Sequence, residues 1–93
     1  MKIQYTKKLD ERLDELRRLY DTHVIPAGDI GWVGWKRESG SFSLYTVVNS
    51  SGGIRVTRSA DTAGELLDYV EGLIDGTRAA RADRGRLFEK FMN

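Results

Sequence analysis

Two short turn segments constrain the fold of this chain more than any other feature. Residues 38–41 (ESGS) and 50–53 (SSGG) have turn chemistry, and they separate stretches rich in aromatic and β-branched residues at 30–37, 42–49 and 54–59. Connections this short join antiparallel neighbours, because a parallel pair needs a crossover of roughly a dozen residues or more. The middle of the chain is therefore predicted to be a three-stranded antiparallel meander.

The segment before the meander is predicted to be a helix over about 6–22. Leu9, Leu13 and Leu16 recur at helical spacing, and charged residues of both signs fill the positions around them. The helix must end before Pro26, since the residue preceding a proline disfavours the α conformation. The pattern is typical of an amphipathic helix with one apolar face.

The segment after the meander is predicted to contain two helices. Thr62 is the expected N-cap of the first, with Glu65 as its capping-box partner, and Gly76 is expected to end it. A last helix is predicted over about 77–91.

These elements predict a single small α+β domain over residues 1–93, in the order α-β-β-β-α-α. Each of the longer helices has one apolar face, and the meander offers a sheet to cover. The simplest arrangement packs the helices on one face of the sheet. The other face would then be open to solvent or to a partner.

Composition argues against several classes of function. The chain has no cysteine, which excludes disulfides and thiolate metal sites, and its single histidine, His23, has no visible catalytic neighbour. No apolar run approaches the roughly 20 residues that span a bilayer, and no signal peptide is visible. We expect a non-enzymatic protein without cofactor or metal, located in the cytoplasm, which would be that of a bacterial host if the chain is phage-encoded.

The segment after the last strand carries the strongest charge pattern. No Lys or Arg occurs between residues 60 and 76, and five carboxylates fall within roughly a third of the circumference of the predicted helix. This acidic stripe consists of Asp61, Glu65, Asp68, Glu71 and Asp75. Like charges three or four residues apart repel by roughly 0.2–0.5 kcal/mol per pair. A helix whose surface charges served stability alone would more often carry charges of both signs. The stripe is therefore a predicted protein-binding surface.

Two explanations of the acidic stripe remain open in the sequence. Residues 77–93 contain five basic and two acidic residues, so this basic segment could fold back on the stripe. Alternatively, the stripe faces solvent and meets a partner with a basic surface.

A second candidate surface lies on the predicted sheet. If the more apolar residues of each strand face the helices, the remaining face presents Trp35, Tyr45, Arg37 and Arg55. Large rings and arginines are common in protein interfaces, and they also suit nucleic acid, where rings stack on bases and arginines meet phosphates. These four are predicted binding residues, unless the last helix or a second subunit covers the face.

The layout resembles that of several small phage-encoded anti-CRISPR proteins. The similarity lies in the order of elements and in the passage from the last strand, residues 54–58, into the acidic helix, residues 62–73 (TAGELLDYVEGL). It implies direct, non-enzymatic blocking of a nuclease complex through surface contacts. The net charge of +1 departs from that of the strongly acidic DNA mimics in this group.

The expected function is therefore that of a small interaction protein, of phage or mobile-element type, that binds and inhibits a larger nucleic-acid-handling complex such as a CRISPR-Cas effector. The alternative is a nucleic-acid-binding module that uses the open sheet face and the basic C-terminal segment. Neither involves a membrane, and the chain is expected to be a monomer or a homodimer. A third reading is an assembly protein that associates through the sheet.

Overall fold

The computed structural model describes residues 4–92, and describes side chains over residues 4–82. The elements in chain order are helix α1 (Tyr5–Leu19), strands β1 (Val33–Glu38), β2 (Ser41–Val47) and β3 (Ile54–Ala60), and helix α2 (Ala63–Met92). The strands form one antiparallel sheet with β2 in the middle. The predicted α+β class, the meander and the order of its elements are confirmed.

Both helices pack on one face of the sheet, as the sequence predicted. α1 lies over β1, and α2 lies over β2 and β3. Their inward side chains form one core with the central strand: Leu9, Leu13, Leu16, Leu44, Leu66, Leu67, Val70 and Ile74. Four of these, Leu9, Leu13, Leu66 and Val70, have less than 2% of their surface exposed. The core therefore lies between the helix layer and the sheet.

The two helices run side by side in the same direction. Tyr5 at the start of α1 lies against Gly64 near the start of α2. At the other end, the Tyr20 hydroxyl lies 3.0 Å from the Thr77 hydroxyl. Because Thr77 donates its proton to the Leu73 carbonyl at 2.7 Å, Tyr20 is the donor to Thr77. This contact fixes the end of α1 against the middle of α2.

The predicted break between two C-terminal helices at Gly76 is wrong, because α2 is continuous from Ala63 to Met92. A glycine inside a helix costs roughly 1 kcal/mol relative to alanine, which does not by itself end one. The residues after Gly76 are mainly good helix formers such as Ala, Arg and Leu. Contacts of Tyr20, the C-cap of α1, with Thr77 and of Glu15 with Arg78 hold the helical residues directly after the glycine.

A β-bulge in β3 decides which side chains face the helices. Leu44 pairs with Arg58, but the next residue of β2, Tyr45, pairs with Val56, so Thr57 is an extra residue. The alternation of β3 is therefore reversed across Thr57, and Val56 points away from the helices with 46% of its surface exposed. The bulge is the reason that Val56, although apolar, lies outside the core.

Candidate interaction surfaces

The acidic stripe lies on the outer side of α2, away from the core. Asp61, Glu65, Asp68 and Asp75 are exposed, and Glu71 is partly exposed. Residues on the opposite side of the same helix, such as Leu66 and Val70, are fully buried. The stripe is thus carried on a helix whose orientation the core fixes.

Thr62 caps the start of this helix, which is the N-cap half of the predicted capping box. The Glu65 amide donates to the Thr62 hydroxyl at 3.1 Å, which satisfies one of the free N–H groups of the first turn. Asp61 and Glu65 lie near the positive end of the helix dipole, where carboxylates are favoured. Asp75 lies in the middle of α2, because the helix continues past Gly76.

Glu71 is the member of the stripe that forms an ion pair among the residues with described side chains. Its carboxylate lies 3.6 Å from Nε of Arg12 on α1, and Arg12 also pairs with Glu15 at 2.8 Å. Arg78 completes the group by pairing with Glu15. These side chains are 26–55% exposed, and such surface pairs contribute roughly 0–1 kcal/mol each. They join α1 to α2 and leave most of the stripe uncompensated.

The helix geometry decides between the two explanations of the stripe. The basic segment continues α2 in the same direction, so it cannot fold back on residues 61–75. Arg78, its first basic residue, reaches Glu15 of α1. The stripe therefore faces solvent.

The four predicted binding residues of the sheet do not share a surface. Trp35 pairs with Leu44 on the helix side, and its indole N–H donates to Asp10 of α1 at 2.7 Å. Arg37 pairs with Phe42 and Arg55 with Thr46, which places both on the helix side as well, at opposite corners of the sheet. Tyr45 alone of the four lies on the face away from the helices.

The side of the sheet away from the helices, called the open face below, carries a different aromatic pair. Trp32 directly precedes β1 and continues its pairing, since its carbonyl accepts from the Val47 amide at 2.9 Å. A Cβ atom at Gly34 would lie 2.7 Å from the Tyr45 hydroxyl and 3.2 Å from Trp32 Nε1. Trp32 and Tyr45 therefore lie side by side over Gly34, both partly exposed.

Arg17 of α1 adds a fixed cation to this pair. Its guanidinium carbon lies 3.7 Å from the centre of the Trp32 ring, and Nε donates to the Val33 carbonyl at 2.8 Å. Burial lowers the pKa of Arg17, while the nearby Asp14 and Asp10 carboxylates oppose that shift. An arginine remains charged at neutral pH under such conditions. Sequence reasoning missed both Arg17 and Trp32 as surface residues.

The remaining side chains of the open face are small and mostly uncharged. Ser43 and Ser59 share a hydrogen bond of 3.0 Å between their hydroxyls. Ile54 is 38% exposed at the edge of the sheet. Lys36 pairs with Glu38, and this contact lowers the pKa of the Glu38 carboxyl through the hydrogen bond first and the charge second.

The described part of the chain gives little support for a catalytic site, a metal site or a membrane-spanning helix. His23 is exposed in the turn after α1, and residues 4–82 contain no group of three or more His, Cys, Asp or Glu placed to hold a metal ion. Among the described helices, none is long and apolar enough to span a membrane. Comparison of the chain with protein-family models, with curated proteins and with solved structures finds no match.

Proposed function

We propose that this chain is a non-enzymatic interaction protein that presents the acidic stripe of α2 to a basic surface of a larger nucleic-acid-handling complex and inhibits it. A CRISPR-Cas effector is one such complex. The cytoplasm of a bacterial host is the corresponding location.

The observation that carries the proposal is the exposure of the stripe on a rigidly held helix. Asp61, Glu65, Asp68 and Asp75 face solvent without an ion-pair partner among the residues whose side chains are described. The repulsion between them is retained although nothing in the packing of α2 requires it. A partner with Lys and Arg side chains would relieve that repulsion on binding and gain association rate from long-range attraction.

The density of charge indicates what kind of contact this is. The stripe places five carboxylates along the 14 residue steps from Asp61 to Asp75, which is about 21 Å at 1.5 Å per residue. The mean spacing between charges is roughly 5 Å, against one charge per about 1.7 Å in duplex DNA. The stripe therefore suits docking and steering at part of a basic groove better than full replacement of a duplex.

The alternative is a nucleic-acid-binding module that uses the open sheet face and the basic C-terminal segment, and of the four sheet residues predicted for it, Tyr45 alone lies on the open face. We keep the protein-docking function as the main proposal.

Charge neutralisation with a matched control tests it. The stripe variant combines Glu65→Gln, Asp68→Asn and Asp75→Asn. The control variant combines Glu11→Gln, Asp14→Asn and Asp21→Asn, which removes three exposed carboxylates outside the stripe and gives the same net charge. Each protein is expressed in bacterial strains with defined, active CRISPR-Cas effectors, and transformation by a targeted plasmid is scored.

The wild type and the control variant are expected to restore transformation in at least one strain, and the stripe variant to lose that effect with its helical circular dichroism unchanged. Purified effector from the responsive strain should be captured by wild type and control, and at least tenfold less by the stripe variant. Equal capture by all three proteins would reject the stripe as the docking surface. Failure of wild type to protect the plasmid in every strain would reject CRISPR-Cas effectors as the target.

A further inference from the structure

The acidic stripe and the open face lie on different sides of this molecule. Of the charged strand residues, Lys36 and Glu38 lie on the open face and pair with each other, whereas Arg37, Arg55 and Arg58 lie on the helix side. The acidic stripe lies on the outer side of α2, with the core between it and the sheet. The open face is thus directed away from the main concentration of carboxylates.

The open face also carries an aromatic platform, formed by Tyr45 and Trp32. The absence of a side chain at Gly34 makes room for it. Gly34 is buried beneath Tyr45, and the close approach of the Tyr45 ring, 2.8 Å to the place of a Cβ, is compatible with glycine there. The tip of the Tyr45 ring therefore lies over Gly34 of β1, beside Trp32. Rings held in this way need no further ordering before a base stacks on them.

Arg17 gives this platform a cation whose position is fixed from two directions. The Val33 carbonyl holds its Nε, and the Trp32 ring lies under its guanidinium. Lys36 follows two residues after Gly34 along β1 on the same face. Arg17 therefore lies beside the rings at the start of β1, and the paired Lys36 and Glu38 lie further along the strand.

We propose that the open face binds single-stranded nucleic acid, with a base stacked on Tyr45 beside Trp32 and phosphates near Arg17 and Lys36. Three strands spaced about 4.8 Å apart give a face roughly 10–15 Å wide, enough for a few nucleotides. A duplex would not suit it, because paired and stacked bases present no free ring face. A second copy of this chain suits it less well, since a two-fold axis at the centre of the face would place each basic residue near its equivalent in the partner.

Fluorescence anisotropy with labelled 12-nucleotide U and dT strands and a 12-base-pair duplex tests the proposal. Single strands should bind more tightly than the duplex. Tyr45→Ala should weaken single-strand binding about five- to a hundredfold. Tyr20→Ala removes a ring that is 50% exposed on the helix layer and should leave the affinity unchanged.

The salt dependence provides a test that does not rely on a change in the sheet packing. Lys36→Gln should reduce the slope of log K against log salt by about 0.7, the value for one contact with a single strand. Lys8→Gln, an exposed lysine near the start of α1, is the matched control and should leave the slope unchanged.

A third readout follows the ring itself. Trp35→Phe leaves Trp32 as the single tryptophan, and its fluorescence should change on addition of U strand. Absence of single-strand binding at 50 mM salt with folded protein would overturn the proposal. Unchanged affinity in Tyr45→Ala together with an unchanged salt slope of log K in Lys36→Gln would also overturn it. A third contrary result would be a Tyr45→Ala variant that still binds the oligonucleotide but has a different molecular mass in solution.

Discussion

The outer side of α2 and the open face of the sheet are both exposed, but they are built on opposite principles. The acidic stripe has many like charges and no large ring, whereas the open face has two rings, few charges and a buried glycine. The stripe is readable in the sequence as a run without Lys or Arg. The open face depends on strand register, which a single extra residue in β3 changes. Surfaces made by composition are thus visible before folding, and surfaces made by register are not.

The largest expected effect is on the free energy of unfolding, and it distinguishes the buried side of α2 from the acidic stripe and the open face. Leu66→Ala should lower the free energy of unfolding by about 2–5 kcal/mol, because Leu66 is fully buried between α2 and the sheet. Val56→Ala on the open face should cost less than about 1 kcal/mol, since Val56 is already 46% exposed. Urea denaturation of both variants measures the difference. Equal losses would mean that the bulge does not turn Val56 outward.

Two glycine substitutions should change stability in opposite directions on the two surfaces. Gly34→Ala places a Cβ 2.7–2.8 Å from the tip of the Tyr45 ring and should cost about 1–3 kcal/mol. Gly72→Ala on the exposed side of α2 meets nothing within 4 Å and should add about 0.5–1 kcal/mol through helix propensity. Thermal unfolding of the pair checks the signs. A stabilising Gly34→Ala would contradict the close packing of Tyr45.

Removal of one stripe charge should stabilise the protein slightly. Asp68→Asn relieves repulsion with Glu65 and Glu71, each three residues away, for a gain of about 0.4–1 kcal/mol. The gain should shrink in 1 M salt, where screening acts within roughly 3 Å. Asp14→Asn on α1, which breaks the 3.3 Å pair with Arg18, should show no gain. A loss of stability in Asp68→Asn would show that the stripe has an internal partner.

The smallest expected effect is a titration on the open side of the sheet. The contact with Lys36 lowers the pKa of Glu38, so NMR titration should place it below the ordinary glutamate value. A lowered pKa in the folded state means that the stabilising contribution is present above the unfolded pKa and is lost as pH falls through the folded one. Lys36→Gln should return the pKa of Glu38 to its ordinary range. An unchanged value in that variant would place the cause elsewhere.

Local chemistry allowed part of this structure to be predicted. Thr62 caps α2 because a hydroxyl two or three residues before free amides is a local signal. Gly76 misled the prediction, since its effect depends on Tyr20 and Glu15, which come from the other end of the chain. Trp35 was assigned to the wrong face because alternation gives two sets of residues but not which set the helices cover. Its hydrogen bond to Asp10 joins residues 25 positions apart and leaves no local trace.

The parallel arrangement of α1 and α2 has a consequence for how this chain reaches its structure. Tyr20 and Thr77 are 57 residues apart in sequence, because the whole meander comes between the two helices along the chain. Neither helix can complete its core contacts until a loop of that length has closed, and the search for that contact sets the folding rate. Refolding should therefore take milliseconds or longer rather than the microseconds of a helical hairpin of similar size. A nascent chain would expose the apolar side of α1 until the first half of α2, which carries Leu66, Val70 and Ile74, had been synthesised.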